Sequence, residues 1–350
     1  MKSLGNFPDP FIAEIAGQPD ALRRAGAASL RQADAVAEAA ASAGGRTLAF
    51  AGMGSSYDAC YPAVADLAVA GIPALMVDAA ELLHMRLATL GAGDLLILVS
   101  QSGESAETVA VARSLRERGD APTIVAVTNG LDNRLAGLAD VALDTEAGPE
   151  TGPSTMTFVA TLVLVGALAR AIGGVATDGV ADAANAAATA VGSLLGDGSL
   201  PDRLAAWHDG RATTVILGRG AARAAAEMGA LTLKEAVGIP VESLQAAQFR
   251  HGPLELAGPA LAAIVIATEP ETAELDLGLA TDLRALGAGV LVVARHDDGG
   301  PGTIEIGDLD RLVAPAASIV PVQLLAWRLA TLAGRDPGTY VHAAKVTTRE

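Results

Sequence analysis

The strongest constraint on the fold is an internal repeat. Two segments share apolar runs, glycine turns and alanine-rich helical patterns in the same order. Five matched positions lie at one offset of 167 residues: Ile72 and Ile239, Pro73 and Pro240, Ala79 and Ala246, Ala80 and Ala247, His84 and His251. Several matches in one order indicate a duplicated unit of roughly 130 residues.

Each copy alternates short apolar runs with helical patterns, which predicts a parallel sheet with helices on both faces. The predicted fold class is therefore α/β, with two tandem doubly wound, flavodoxin-like parallel sheets and flanking helices. Strands of the first copy are predicted at 47–51, 74–77, 95–99, 123–127 and 141–144. The predicted organisation is a helical segment 1–44, a first domain 45–174, a linker helix 175–209, a second domain 210–335 and a C-terminal tail 336–350.

Charge and composition exclude several classes of protein. The chain has 350 residues, 51% of them hydrophobic, and a net charge of −16, which disfavours nucleic-acid binding. The single cysteine, Cys60, excludes a disulfide framework and a cysteine-rich zinc site. The N-terminus has no apolar signal core, and the apolar stretch 158–169 is too short to span a bilayer. We expect a soluble cytoplasmic protein without membrane, metal or cofactor.

Hydroxyl-rich turns follow the predicted strands of the first copy. In a doubly wound sheet, ligands bind beyond the carboxyl ends of the strands. The third strand leads into Ser100-Gln101-Ser102-Gly103-Glu104-Ser105 and then a helix, an arrangement that suits a phosphate monoester. The second copy has Glu269-Pro270-Glu271 there, which would repel an anion. The alternative is that Ser102 or Ser105 merely caps the helix.

Two further turns belong to the same predicted sheet edge. Gly54-Ser55-Ser56 follows the first strand, and Gly152-Pro153-Ser154-Thr155 follows the fifth. Three such turns can converge on one ligand.

Four motifs together resemble the sugar isomerase (SIS) domain family, and within it the isomerase half of the glucosamine-6-phosphate synthases. The run from Ser100 to Thr108 is similar to the family's phosphate loop. The runs 231–235, 249–254 and 342–347 are similar to the second domain and the C-terminal tail of those synthases. The resemblance covers about residues 15–350.

The resemblance implies roles for individual residues. Glu235 would move a proton between C1 and C2, His251 would assist ring opening, and Lys345 would engage the open-chain carbonyl. The expected substrate-binding residues are Ser55, Ser56, Ser100, Gln101, Ser102, Ser105, Ser154 and Ala344. In the family the histidine comes from a neighbouring subunit, which implies a homodimer with a shared active site.

The chemistry of these residues has competing interpretations. Glu235 precedes Gly238, a predicted helix stop, so the helix dipole and burial would raise its carboxyl pKa toward that of a base. Alternatively, Lys234 and Glu235 form a solvated pair. His251 has the repeat partner His84, which is compatible with a bracing role. A lysine near the C-terminus, such as Lys345, is usually just exposed.

The chain departs from the synthase pattern in three places. The sequence lacks the N-terminal glutaminase domain, so we expect no ammonia from glutamine. Thr232 replaces a lysine of the pattern, and the turn 152–157 is one residue shorter and also lacks a lysine.

These features predict an enzyme, a phosphosugar isomerase or deaminase that acts on a hexose 6-phosphate. Glucosamine-6-phosphate deamination is favoured, and fructosamine-6-phosphate deglycation is a variant. The second hypothesis is a non-catalytic sugar-phosphate sensor, but the acidic N-terminal segment is too short for the DNA-binding helices such regulators carry. A dinucleotide dehydrogenase has weak support, because Tyr57 replaces the final glycine after Gly52-Met53-Gly54.

Overall fold

The computed structural model describes residues 9–44, 47–297 and 300–349. Contacts divide the chain into two compact units, each with one sheet. The sheet-1 unit contains residues 20–150, 156–185 and 342–350, and the sheet-2 unit contains residues up to 19, 151–155 and 186–341. Both units are therefore assembled from segments that are distant in sequence, whereas the predicted boundaries follow the chain linearly.

Sheet 1 is a five-stranded parallel sheet in the described chain, with the order β2-β1-β3-β4-β5. Its strands are β1 (Leu48–Gly52), β2 (Leu75–Asp78), β3 (Leu95–Val99), β4 (Thr123–Thr128) and β5 (Val141–Asp144). The helices in this half of the sequence are α1 (Pro10–Arg31), α2 (Ala33–Ala41), α3 (Ser55–Asp58), α4 (Tyr61–Val69), α5 (Ala79–Glu81), α6 (Ala106–Arg116), α7 (Arg134–Leu138), α8 (Met156–Ile172) and α9 (Asp178–Gly196). A π-helical turn, Leu82–Arg86, and a 3-10 turn, Leu87–Thr89, follow α5.

Sheet 2 repeats this topology among the described residues. Its order, β7-β6-β8-β9-β10, is that of sheet 1, and every strand pair is parallel. Its strands are β6 (Thr213–Gly218), β7 (Val241–Gln245), β8 (Leu261–Ala267), β9 (Gly289–Ala294) and β10 (Thr303–Glu305). The helices are α10 (Leu200–His208), α11 (Arg223–Ala236), α12 (Ala246–Phe249), α13 (Ala273–Ala285), α14 (Ala314–Ser318) and α15 (Val320–Leu332), with 3-10 turns at Gly220–Ala222 and Pro253–Leu256. The predicted α/β fold class with two doubly wound sheets is confirmed.

The central strands are buried along their whole length. Every residue of β1, β3, β8 and β9 is buried, as expected for parallel strands covered on both faces. Each fully buried Val, Leu or Ile side chain contributes about 1.5–3 kcal/mol. One face of sheet 1 packs on α6 through Ala49, Leu96, Leu98, Ile124, Val109, Ala112 and Leu115. This packing holds α6 against sheet 1.

Two apolar helices lie in the cores. All residues of α8 from Met156 to Ala169 are buried, which accounts for the apolar stretch predicted to be a buried helix. By length and composition, the described stretch Ala314–Leu332 could also cross a membrane. However, 78% of its apolar window is buried inside the fold, and α15 packs against α10 and α11. That environment is the one expected of a core helix.

Candidate active site

The serine loop, residues 100–105, joins β3 to α6 in the sheet-1 unit. Ser100 is buried, and its Oγ lies 3.3 Å from Oγ of Ser105. The backbone N–H of Gln101 donates to Oγ of Ser56, which lies in α3 after β1, at 3.3 Å. The loops after β1 and β3 therefore meet at one edge of sheet 1. Ser55, the first residue of α3, is half-buried beside Ser56.

The helix-capping alternative does not hold for Ser105. Ser105 occupies the N-cap position of α6, but its side chain makes no capping hydrogen bond. The hydroxyl of Ser102 instead accepts from the N–H of Glu104 at 3.1 Å, a bond within the loop. The hydroxyls of Ser100 and Ser105 face each other at the positive end of an eleven-residue helix, a favourable place for an anion.

Gly103 sets the shape of the loop. Its φ is +64°, and a Cβ there would lie 1.9 Å from Oδ1 of Asn133. Asn133 caps α7 through an N–H bond from Ala136 at 2.9 Å, and its amide donates to the carbonyl of Gly130 at 2.8 Å. The serine loop is thus held against the start of α7 at a distance that only glycine permits.

Glu104 is the acidic residue of the serine loop, and it is paired with Arg134. Its carboxylate accepts the N–H of Arg134 at 2.8 Å and pairs with the guanidinium of the same residue. These hydrogen bonds lower the pKa of Glu104. The negative charge of Glu104 within the loop is therefore compensated by Arg134.

Lys345 of the C-terminal tail is bound to a buried carboxylate. Its Nζ lies 2.6 Å from Oε2 of Glu150, whose side chain is 0% exposed. Thr157, at the start of α8, donates its N–H to Oε1 at 3.1 Å and its hydroxyl to Oε2 at 2.6 Å. The carbonyl of Thr347 accepts the N–H of Ala106, the first residue of α6, at 3.0 Å. The tail is therefore fixed at the end of the serine loop, and Lys345 is not simply exposed.

Glu235 and His251 belong to the sheet-2 unit. Glu235 is half-buried in the last turn of α11, which ends at Ala236. Gly238 follows with φ +78° and donates its N–H to the carbonyls of Leu233 and Lys234, the predicted glycine stop. His251 follows α12 and is exposed, so its imidazole does not brace a core.

The turn containing Ser154 belongs to the segment 151–155, which groups with the sheet-2 unit. Ser154 is buried there. The carboxylate of Glu14 accepts the N–H groups of Thr151 at 2.6 Å and Gly152 at 3.2 Å, and the hydroxyl of Tyr340 donates to the carbonyl of Gly152 at 3.3 Å. The carboxylate of Glu14 therefore fixes the backbone at the start of this turn. The other predicted tail residue, Ala344, is exposed in the sheet-1 unit.

The corresponding turn of the second copy contains an acidic side chain, that of Glu269. The carboxylate of Glu269, after β8, is buried and lies 3.2 Å from Arg311. Its Oε2 lies 3.0 Å from where a Cβ on Gly220 would be. Burial raises the pKa of Glu269, although Arg311 opposes the shift. A second buried pair, Arg219 with Asp276 at 2.6 Å, lies in the same unit.

Glu150 is the site residue that sequence reasoning missed. The available signal was a carboxylate two residues before Gly152, because the sequence predicts the turn Gly152-Pro153-Ser154 at the ligand edge of the sheet. Its partner Lys345 is 195 positions away, so no local spacing reveals the pair.

The chain has two doubly wound parallel sheets of the same topology, and a serine loop lies at the carboxyl ends of the strands of sheet 1. These features place it among the parallel α/β proteins. The model of the SIS domain matches residues 43–171 and 210–300, more than half of the chain. The chain therefore belongs to the SIS domain family.

Several proteins are similar to this chain in sequence or in fold. A glutamine–fructose-6-phosphate aminotransferase [isomerizing] of Pyrobaculum aerophilum is 31% identical over 100% of this chain, which spans 59% of that protein. The C-terminal domain of glucosamine-fructose-6-phosphate aminotransferase from Francisella tularensis has a TM-score of 0.82 at 23% identity, covering 95% of this chain and 98% of that one. Glucosamine-6-phosphate deaminase of Thermotoga maritima has a TM-score of 0.74 at 20% identity, covering 96% and 99%. The two structural likenesses establish the fold.

Proposed function

We propose that the chain is an enzyme that transfers a proton between C1 and C2 of a hexose 6-phosphate. Within that class we propose hydrolytic deamination, in which glucosamine 6-phosphate and one water give fructose 6-phosphate and ammonia. The observation that carries the proposal is the lysine of the tail, anchored beside a serine loop at the positive end of α6. A phosphate group and a reactive carbonyl need these two kinds of residue.

The serine loop supplies neutral donors for the phosphate. Ser100, Ser102, Ser105 and Ser56 provide hydroxyls, and α6 provides the favourable end of its dipole. Because no cation is needed, this recognition is compatible with the acidic net charge of the chain. A phosphate monoester fits these donors better than a carboxylate does, since it offers three oxygens.

Glu235 is proposed as the base. A single carboxylate can remove a proton from one carbon and return it to the next, through an enediol or enolamine. Half-burial in the last turn of α11 suits such a base, because the helix holds its backbone while the carboxylate stays accessible. His251, exposed after α12, is proposed to assist ring opening, which the family resemblance assigns to a partner subunit.

The remaining assignments follow from this proposal. We infer a homodimer in which His251 serves a partner subunit, and a cytoplasmic enzyme that uses no cofactor. Fructosamine-6-phosphate deglycation requires the same proton transfer, so it is the closest alternative.

The test is turnover of glucosamine 6-phosphate, with ammonia and fructose 6-phosphate measured together. The proposal predicts equal amounts of both products and loss of activity by at least about 100-fold in Glu235→Gln. Glu242→Gln, which removes an exposed carboxylate of β7 in the same unit, is the control and should keep full activity.

Other outcomes of the turnover assay would support a different function. Turnover of fructosamine 6-phosphate alone would replace deamination with deglycation. Interconversion of unaminated hexose phosphates alone would leave a plain isomerase. Tight binding without turnover of any hexose phosphate would refute the enzyme and favour a sensor.

A further inference from the structure

A buried carboxylate, that of Glu150, is paired with the long and flexible side chain of Lys345. The Glu150 side chain is 0% exposed and that of Lys345 is 20% exposed. A lysine side chain is ordinarily solvated and populates many rotamers. Here its ammonium group lies 2.6 Å from a carboxylate oxygen.

The buried carboxylate of Glu150 has a cation and neutral donors among its partners. Thr157, at the start of α8, gives this carboxylate two neutral donors, its N–H and its hydroxyl. Neutral donors compensate a buried carboxylate only in part, and an uncompensated buried charge is strongly unfavourable. Lys345 supplies the compensating charge, so Glu150 holds the tail in place through that lysine.

The second anchor of the tail lies at the serine loop. Thr347 accepts the N–H of Ala106, which directly follows Ser105. Two residues of extended chain span about 7 Å, so the backbone of Lys345 lies within that distance of Thr347. The anchors at Glu150 and Ala106 therefore confine Lys345 to one end of the serine loop.

We infer that Glu150 is the positioning residue of Lys345. It fixes the ammonium of the tail at the edge of sheet 1, where the phosphate-binding hydroxyls lie. The effect on catalysis rests on the proposed function, in which Lys345 engages the open-chain carbonyl. The effect on the position of Lys345 does not depend on that function.

The position is measured by chemical labelling of amines. The chain has three lysines, Lys2, Lys234 and Lys345, so acetylation by a water-soluble active ester can be followed at each by peptide mass spectrometry. Lys234 is exposed and serves as the internal standard. In the wild-type protein we expect Lys345 to react at least about tenfold more slowly than Lys234, because the pair must open first.

Substitution then separates positioning from general stabilisation. Glu150→Gln keeps the shape of the side chain and removes its charge, and it should raise the relative labelling of Lys345 about tenfold. Glu14→Gln is the matched control, because Glu14 is also buried and its carboxylate holds a backbone turn through the N–H groups of Thr151 and Gly152. It should leave the ratio of Lys345 to Lys234 labelling unchanged.

A double-mutant cycle measures the catalytic consequence. Glu150→Gln should lower kcat about 10- to 100-fold and change KM less than about threefold, since the serine loop still binds phosphate. In a Lys345→Ala background, the same substitution should have almost no further effect, because its action passes through the lysine.

Three results would overturn the inference. They are equal labelling of Lys345 and Lys234 in the wild type, an unchanged labelling ratio in Glu150→Gln, and losses of kcat that multiply in the double variant. If no sugar phosphate is turned over, the proposed function fails while the labelling still decides the role of Glu150. If Glu150→Gln does not fold, Glu150→Asp, which withdraws the carboxylate by one methylene group, provides the same labelling test.

Discussion

Substitution of Gly103 by alanine should disrupt the serine loop by a calculable amount. The backbone there has φ +64°, which costs an alanine about 1–2 kcal/mol. The added Cβ would also lie 1.9 Å from Oδ1 of Asn133, so the Asn133 side chain must rotate away. That rotation removes the cap of α7, worth about 1 kcal/mol, and the bond to the Gly130 carbonyl, worth about 1 kcal/mol. We expect a total loss of about 3 to 4 kcal/mol.

Urea unfolding monitored by circular dichroism measures this loss. Gly130→Ala is the matched control, since Gly130 has φ +88° and no atom within 4 Å of its added Cβ. It should cost only the backbone part, about 1–2 kcal/mol. In an Asn133→Ala background, Gly103→Ala should likewise cost about 1–2 kcal/mol, because the clash has been removed. Equal losses for Gly103→Ala and Gly130→Ala in the wild-type background would refute the reasoning.

Three further predictions concern single side chains. Burial lowers the pKa of His208 below its ordinary 6.5, so the unfolded chain binds the proton more readily and stability falls as the pH drops below 6.5. His208→Gln should therefore show a smaller fall in unfolding free energy over that range, and an identical pH profile would contradict this. Asp276→Asn should cost about 3 kcal/mol in urea unfolding, because the largely buried Arg219 loses its counter-charge, and an unchanged midpoint would refute it. Ser100→Ala should weaken hexose 6-phosphate binding about tenfold by calorimetry, since the hydroxyl lies among the proposed phosphate donors, and an unchanged affinity would place the phosphate elsewhere.

The sheets were predictable because their strands are continuous apolar runs. The predicted strands 95–99 and 141–144 agree with β3 and β5, and the others agree to within one residue at each end. Parallel strands covered on both faces have little freedom in composition, and the repeat carries the same topology into the second copy. The stop at Gly238 was predictable for a comparable reason, since a left-handed residue after a helix strongly favours glycine.

The details of the site depend on contacts between distant residues. The pairing of Glu150 with Lys345 joins positions 195 apart, and Gly103 is constrained by Asn133 across another loop. Sequence spacing along one helix or strand contains no information about such contacts. The grouping of residues 342–350 with sheet 1 was hidden for the same reason, because the chain passes through all of sheet 2 before the tail returns.

The most direct test of the account is exchange of carbon-bound hydrogen in fructose 6-phosphate. The protein is incubated with this sugar in deuterium oxide, and the two C1 protons are followed by NMR. If Glu235 removes a proton from C1, one of the two protons should be replaced by deuterium, and Glu235→Gln should abolish the exchange. Retention of both protons by the wild-type protein, or unchanged exchange in Glu235→Gln, would contradict the proposed proton transfer.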